Sequence, residues 1–218
     1  MLANITSSIL DGIKGCVINI EVDVSKGMPC FTVVGLPDLM IRESKERIKS
    51  AIVNTGFNFN YRKITINLWP ASTKKAGTHL DLPIAISYLL ASNQIASEDI
   101  KDFALLGELN LSGDLVKVNG VISLVASLKN SGVGNIVVPE ENAVEAGLVD
   151  GVNIYGVKKL SEVVLLLESR QFFSTIPQTM VSSRFKSFDT DFSDVKGQLI
   201  PKRALEIAAA GFHNLIMI

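Results

Sequence analysis

Cysteine is scarce in this 218-residue sequence: only Cys16 and Cys30 occur. With two widely separated histidines, His79 and His213, they make no zinc-ligand spacing. The expectation is a pair of buried free thiols in a reducing cytosol. An excess of either charge is also lacking. The net charge is -1, so no overall basic field draws in nucleic acid, and only a local basic patch stays open as a possibility. No apolar run approaches the roughly 18 residues that cross a bilayer. The opening MLANITSSILDGIKG has neither the basic start nor the long apolar core of a signal peptide. These absences predict a cytoplasmic chain with no membrane partner. A phosphate-binding G-x-x-x-x-G-K-[ST] loop is missing as well. What is there, 47% hydrophobic and 20% charged residues, is globular in composition and sufficient for one full domain and part of another.

The stretch from Lys63 to Asn93 reads as strand, loop, helix. Ile64, Ile66 and Leu68 alternate with Thr65 and Asn67, the period of a strand with one buried face. Pro70 stops it, because proline donates nothing to a ladder. A loop of small and basic residues follows, Ala71 to Thr78. Asp81 is the expected cap of the next helix, with Pro83 tolerated in its first turn. From Leu82 to Leu90 that helix is almost wholly apolar, so it belongs in the core.

Before this stretch, Asn4 to Val34 reads as a three-stranded meander with turns at Asp11-Gly12 and Ser25-Lys26-Gly27. Asp38 is placed to cap a helix over Leu39 to Asn54, closed by Gly56. Ile41, Ile48, Ala51 and Ile52 form its inner stripe. Arg42, Glu43, Lys45, Glu46, Arg47 and Lys49 form an outer face of mixed sign, read as solvated. After Asn93, a strand is expected within Phe103 to Leu109 and a hairpin turn at Ser112-Gly113-Asp114. Helices are expected over Val121 to Lys129, Glu140 to Ala146 and Lys159 to Leu167, with short strands at Asn135 to Val138 and Val152 to Tyr155. A Ser/Thr-rich stretch after Glu168 reads as a linker. Beyond it come a helix over Pro201 to Ala210 and an apolar run, Leu215 to Ile218, read as a buried parallel strand.

Several segments together resemble the N-terminal region of the ComM-like (YifB-type), magnesium-chelatase-like AAA+ ATPases. They are VVGLPD (Val33 to Asp38), RESKERIKSAI (Arg42 to Ile52), ITINLWPA (Ile64 to Ala71), KKAGTHLDLPIAI (Lys74 to Ile86), LGELNLSG (Leu106 to Gly113), VPEEN (Val138 to Asn142) and DVKGQLIPKRALEIAAAGFHNLIMI (Asp194 to Ile218). The resemblance implies an α/β (α+β) fold, ribosomal-protein-S5-domain-2-like and Lon-protease-like, over residues 1–168. It implies a linker over 169–190 and, over 191–218, the first helix and strand of a AAA+ module that stops before its phosphate loop. It also implies ATP and magnesium as cofactors of complete relatives, self-association as a ring, and DNA as a partner in natural transformation.

A Lon-type peptidase uses a serine activated by a lysine of lowered pKa. In such peptidases the serine follows a K-x-G-x motif; by that resemblance Lys75 to Thr78 precede the serine position, which holds His79, and the lysine position holds Ile122, while a register one residue shorter puts Thr78 at the nucleophile with no lysine between Val118 and Leu128 to activate it. Both members are missing, so no catalytic residue is assigned, and Ile122 is expected to make the site drier. Lys74, Lys75 and His79 form either a small anion site at a helix N-terminus or a solvent-facing loop with hydrated lysines, and Asp81 beside them favours the loop. Val195, Gly197 and Gln198 resemble part of an adenine pocket, which without a phosphate loop is not expected to hold ATP. No metal cage is expected. The leading expectation is a non-catalytic accessory or assembly domain. The alternative is an enzyme, either an ATPase completed by other residues or a residual peptidase.

Overall fold

A computed structural model of the chain describes residues 1–60, 62–96, 100–169 and 190–217. A long hairpin opens it, β1 (Leu2–Asp11) and β2 (Lys14–Ser25), paired in register from Leu2 with Asp23 to Asp11 with Lys14. Gly12 makes the tight turn at φ +62°, a value a side chain resists. Then come β3 (Cys30–Val34), α1 (Leu39–Asn54), β4 (Lys63–Trp69), α2 (Asp81–Ala91), β5 (Phe103–Leu105), β6 (Glu108–Leu109) and β7 (Leu115–Val116). They are followed by α3 (Val121–Asn130), β8 (Asn135–Pro139), α4 (Glu140–Ala146), β9 (Asn153–Val157), α5 (Leu160–Glu168) and α6 (Leu199–Gly211).

One seven-stranded sheet has the order β3-β4-β2-β1-β5-β8-β9, and β6 with β7 forms a separate hairpin. Within that sheet β2 runs antiparallel to β1 and β4, while the other pairings are parallel; β6 and β7 are antiparallel. The expected meander is therefore corrected: β3 does not return along β2 but lies outside β4. The cause is apolar matching. β4 sets Ile64, Ile66 and Leu68 opposite Val24, Val22 and Ile20, whereas the shorter β3 brings only the half-buried Phe31 and Val33 to that face. Cross-strand side-chain fit of this kind decides which strands pair.

Helices cover both faces of the sheet. One core joins Ile5, Ile9, Ile20, Val22, Ile66 and Leu68 with α1, α2 and α5. The other joins Ala104, Ile136, Val138 and Ile154 with α3 and α4. In α2, ten of eleven residues are buried, as its unbroken apolar run requires. Asp38 caps α1 as expected, its carboxylate accepting from the Ile41 N–H at 2.9 Å. Asp81 does not cap α2; Leu80 occupies that position and Asp81 is the first helical residue. The predicted strand over Phe103 to Leu109 divides into β5 and β6 because the Gly107 N–H turns to the His79 carbonyl, 2.9 Å away. Neither cysteine is buried: Cys16 is half-buried and Cys30 exposed, both as free thiols.

Contacts divide the chain into two units, Met1–Met180 and Val181–Ile218. In the second, a short 3-10 turn (Phe192–Asp194) precedes α6, and no residue of α6 is buried. Leu215 to Met217 form no strand, which corrects that expectation; Ile218 lies outside the described residues, as does most of the predicted linker. A parallel strand needs paired neighbours and cover on both faces, and the described residues of this unit contain no other strand. Among the described residues no helix is long and apolar enough to cross a membrane.

Candidate functional site

The loop between β4 and α2 is held from several sides. Its Lys75 pairs with the loop after β3: the Lys75 N–H donates to the Leu36 carbonyl at 3.1 Å, and the Asp38 N–H donates to the Lys75 carbonyl at 2.9 Å. Gly35 makes this approach possible, since it takes φ +96° and a Cβ there would collide with the Leu68 carbonyl. Leu36 follows at φ +58° while exposed, a strained backbone for a γ-branched residue.

The hydrated loop read from the sequence is corrected at Lys75. Its side chain is fully covered, and its ammonium donates to the Pro70 carbonyl. Burial lowers its pKa. Lys74, its neighbour, stays exposed. The two lysines therefore do not converge with His79 on one anion.

His79 is buried, and its Nε2 donates to the Ser8 carbonyl of β1 at 2.9 Å. That bond fixes the neutral tautomer with the proton on Nε2. Burial lowers the His79 pKa, against the Ser8 bond and the charges of Asp38 and Glu108. The ring fits only because residue 77 is glycine: a Cβ there would stand 2.6 Å from the His79 Cε1. Thr78 turns its hydroxyl to the Glu108 carboxylate on β6. Ser8 also bonds across to α3, with 2.7 Å between its hydroxyl and that of Ser127.

Asp81 faces α1. Arg47 grips its carboxylate with Nε at 2.8 Å and one terminal nitrogen at 3.2 Å. The Arg47 side chain is 26% exposed and that of Asp81 only 2%. Arg47 therefore leaves the charged outer face that the α1 pattern assigned to it and turns inward to satisfy a buried carboxylate. Bonding to Asp81 raises the Arg47 pKa. Burial, opposed by Arg47, pushes the Asp81 pKa up to about 6. Ordinary helix periodicity hides such a pair, because Arg47 and Asp81 sit in separate elements.

The two residues that the sequence motif set at the dyad positions are a buried imidazole, His79, and a hydrocarbon, Ile122. Ile122 lies exposed in the first turn of α3, which corrects the expectation that it dries the site. Acyl transfer needs a nucleophile, a base in hydrogen-bond reach and an oxyanion pocket. Here the Thr78 hydroxyl meets a carboxylate rather than a lysine amine, and the Lys75 amine meets a carbonyl. Sequence reading missed Arg47, Glu108 and Ser8 as members of this cluster. The one signal was the acidic Asp81 opening an otherwise apolar helix.

In the second unit, Val195, Gly197 and Gln198 all lie exposed at the entry to α6. Gly197 and Gln198 both take positive φ, +66° and +52°. The Val195 carbonyl accepts from the Lys202 ammonium. An exposed turn without a phosphate loop does not by itself fit ATP. Among the described residues no group of three His, Cys, Asp or Glu could hold a metal ion.

Residues 20–142 match the family described as subunit ChlI of Mg-chelatase, and residues 191–218 match magnesium chelatase, subunit ChlI. The chain is 41% identical to the YifB protein of Escherichia coli over 207 residues, 95% of this chain and 40% of that protein. It is 38% identical to the competence protein ComM of Haemophilus influenzae over 220 residues, 100% of this chain and 43% of that protein. It therefore spans about two-fifths of the length of these relatives. Lon protease 1 of Borreliella burgdorferi is 30% identical over 115 residues, half of this chain. With its mixed α/β sheet, the N-terminal unit has the Lon-protease-like fold, and the chain belongs to the Mg-chelatase ChlI family.

Proposed function

We propose that the chain is a non-peptidase Lon-like module, for assembly or substrate contact, joined to the opening of a AAA+ ATPase. On this reading residues 1–168 are the module, 169–190 the linker and 191–218 the first part of the ATPase core. Val195, Gly197 and Gln198 would contribute one wall of an adenine pocket, and ATP with magnesium would be held mainly by a phosphate loop outside these residues. Ring assembly and DNA processing in transformation belong to the proposal for the longer protein, carried by the ChlI family and by the competence name of one relative. The cytoplasm is its proposed compartment.

The observation that carries the non-peptidase reading is the bond from His79 to the Ser8 carbonyl. A residue at the nucleophile position that ties the turn before α2 to β1 serves the fold. The test is casein hydrolysis by the 218-residue chain and by Thr78→Ala. No cleavage is expected from either protein. Cleavage that disappears in Thr78→Ala would sink the proposal. In parallel, calorimetric titration with ATP and magnesium should give no heat of binding at micromolar nucleotide.

A further inference from the structure

The seven-stranded sheet ends on β3 at one side and on β9 at the other. β9 buries Ile154 and Val157, whereas β3 buries none of its five residues. Folded proteins blunt an exposed edge with charge, proline or a bulge. β3 has none of these: it reads Cys30-Phe31-Thr32-Val33-Val34 and pairs with β4 residue for residue. Its β-branched and aromatic residues favour the extended state. The Cys30 N–H donates to the Arg62 carbonyl, and alternate residues of a parallel strand bond to the same neighbour. Cys30, Thr32 and Val34 therefore turn their N–H and C=O groups to β4. Phe31 and Val33 turn theirs away from it, and among the described residues these groups meet no backbone partner.

Side chains beside the edge set the charge of what fits there. α1 joins β3 to β4 and turns Arg47 inward to Asp81 of α2, and α2 packs over β1 and β2. The opposite flank of α1 therefore faces the β3 end of the sheet. At about 100° per residue that flank carries Leu39, Arg42 and Lys45. Leu39 and Arg42 are exposed and Lys45 is half-buried. Lys63 of β4, also exposed, stands level with Cys30. Three cations thus attend an edge that has no charge of its own. Of the α1 carboxylates, Glu43 and Glu46 are both exposed, and Glu46 lies 3.9 Å from Lys45.

We infer that β3 receives an added strand from a partner, an extended acidic peptide segment. Its backbone bonds to the outward groups of Phe31 and Val33, and its carboxylates meet Arg42, Lys45 and Lys63. Strand addition draws affinity from main-chain bonds and specificity from the side chains beside them. A second copy of this chain fits the edge poorly. Pairing β3 with β3 across a two-fold axis sets Arg42 and Lys45 of both copies side by side, and like charges oppose that contact. The site rests on the reading of residues 1–168 as a contact module and names the chemistry of its partner.

Amide hydrogen exchange, followed by NMR on the full 218-residue chain, reads the edge directly. The probe is the peptide Glu-Val-Thr-Val-Asp-Val-Glu at millimolar concentration. It should slow exchange at Phe31 and Val33 about tenfold and leave Thr32, which already faces β4, unchanged. The same peptide with lysine in place of each acid should protect about tenfold less. The acidic peptide N-methylated at every residue should not protect, because it has lost its donors. Arg42→Glu with Lys45→Glu should abolish protection by the acidic peptide. Lys14→Glu with Lys117→Glu, the same charge change elsewhere, should not. Overturning results are no protection at Phe31 and Val33, equal protection by the acidic and lysine peptides, or equal loss in both double variants. Protection that rises with protein concentration in the absence of peptide also overturns the proposal and assigns the edge to a second copy. Casein hydrolysis is indifferent to each of these outcomes, so failure here leaves the non-peptidase reading standing.

Discussion

Two turns in this chain each deliver a helix, and they do so by opposite means. The turn before α2 is pinned by buried groups: the covered Lys75, His79 on the Ser8 carbonyl, and Asp81 in the grip of Arg47. The turn before α6 lies exposed and opens its helix at Gln198, with no side-chain cap. Both helices are rich in apolar residues, yet α2 buries ten of its residues and α6 none. An apolar helical pattern says that a helix needs cover. What supplies the cover is decided by the strands and loops around it.

The largest effect should come from the helices themselves. Ile86→Ala in α2 is expected to cost about 3 kcal/mol, since it opens a cavity in close packing. Ile207→Ala in α6, where that side chain is half exposed, should stay within about 0.5 kcal/mol. Urea unfolding of both variants checks the contrast. A cost of similar size at Ile207 would show that α6 is covered after all.

Next comes Asp81→Ala. It leaves the Arg47 guanidinium without its partner and the Leu109 N–H without an acceptor. Breaking one side of such a pair costs about 3 kcal/mol. Arg47→Met with Asp81→Leu should recover much of that loss, because the uncompensated charge goes with its partner. If the double variant is no more stable than Asp81→Ala, the pair is not the source of the effect.

The pH dependence separates Asp81 from His79. The Asp81 pKa is raised from 3.8 to about 6, so the folded state holds this proton more tightly than the unfolded one. Its contribution to stability is fully present below 3.8 and is lost as pH rises to about 6. His79 has the opposite sign. Its pKa is lowered from 6.5, so stability from the neutral ring is present above that value and is lost as pH falls below it. The difference between wild type and Asp81→Asn should therefore decline with rising pH across the first window. The difference between wild type and His79→Gln should rise towards neutrality. Parallel curves for the two variants would refute the assignment.

The smallest effect belongs to the exposed turn. Gln198→Gly should leave stability unchanged or raise it by up to about 1 kcal/mol, because glycine takes φ +52° without strain. Gly77→Ala, at φ +111° against the His79 ring, should destabilise clearly. Melting curves of the two proteins side by side make the comparison.

The helices and most strands were legible in the sequence, because periodicity and caps are local: Asp38 caps α1, and Pro70 follows the last residue of β4. The place of β3 was not legible, since strand order depends on which partner fills the face of β2. The inward turn of Arg47 was hidden for a related reason. Its helix reads as a solvated charged face until Asp81, thirty-four positions later, presents a carboxylate that has lost its water. For the candidate site, the motif pattern singled out the loop before α2 together with Ile122. Only the geometry gave His79 its bond to Ser8, and Lys75 its cover. The residues of the turn before α6 were located in the sequence, whereas Leu215 to Met217 were read as a strand that the described residues do not form.

The sheet order also constrains how the chain assembles during its own synthesis. β1 lies in the interior of the sheet, yet only one of its neighbours, β2, follows directly. The other, β5, meets it through Thr6 and Ala104. At ribosomal speed the roughly 100 residues between them take about 5 to 20 s to make. During that interval the second flank of β1 has no strand of its own chain to pair with. An unpaired flank on a long strand is a template for other chains. Translation pauses between β4 and β5 would lengthen that exposure, and chaperone capture of the nascent chain should peak there.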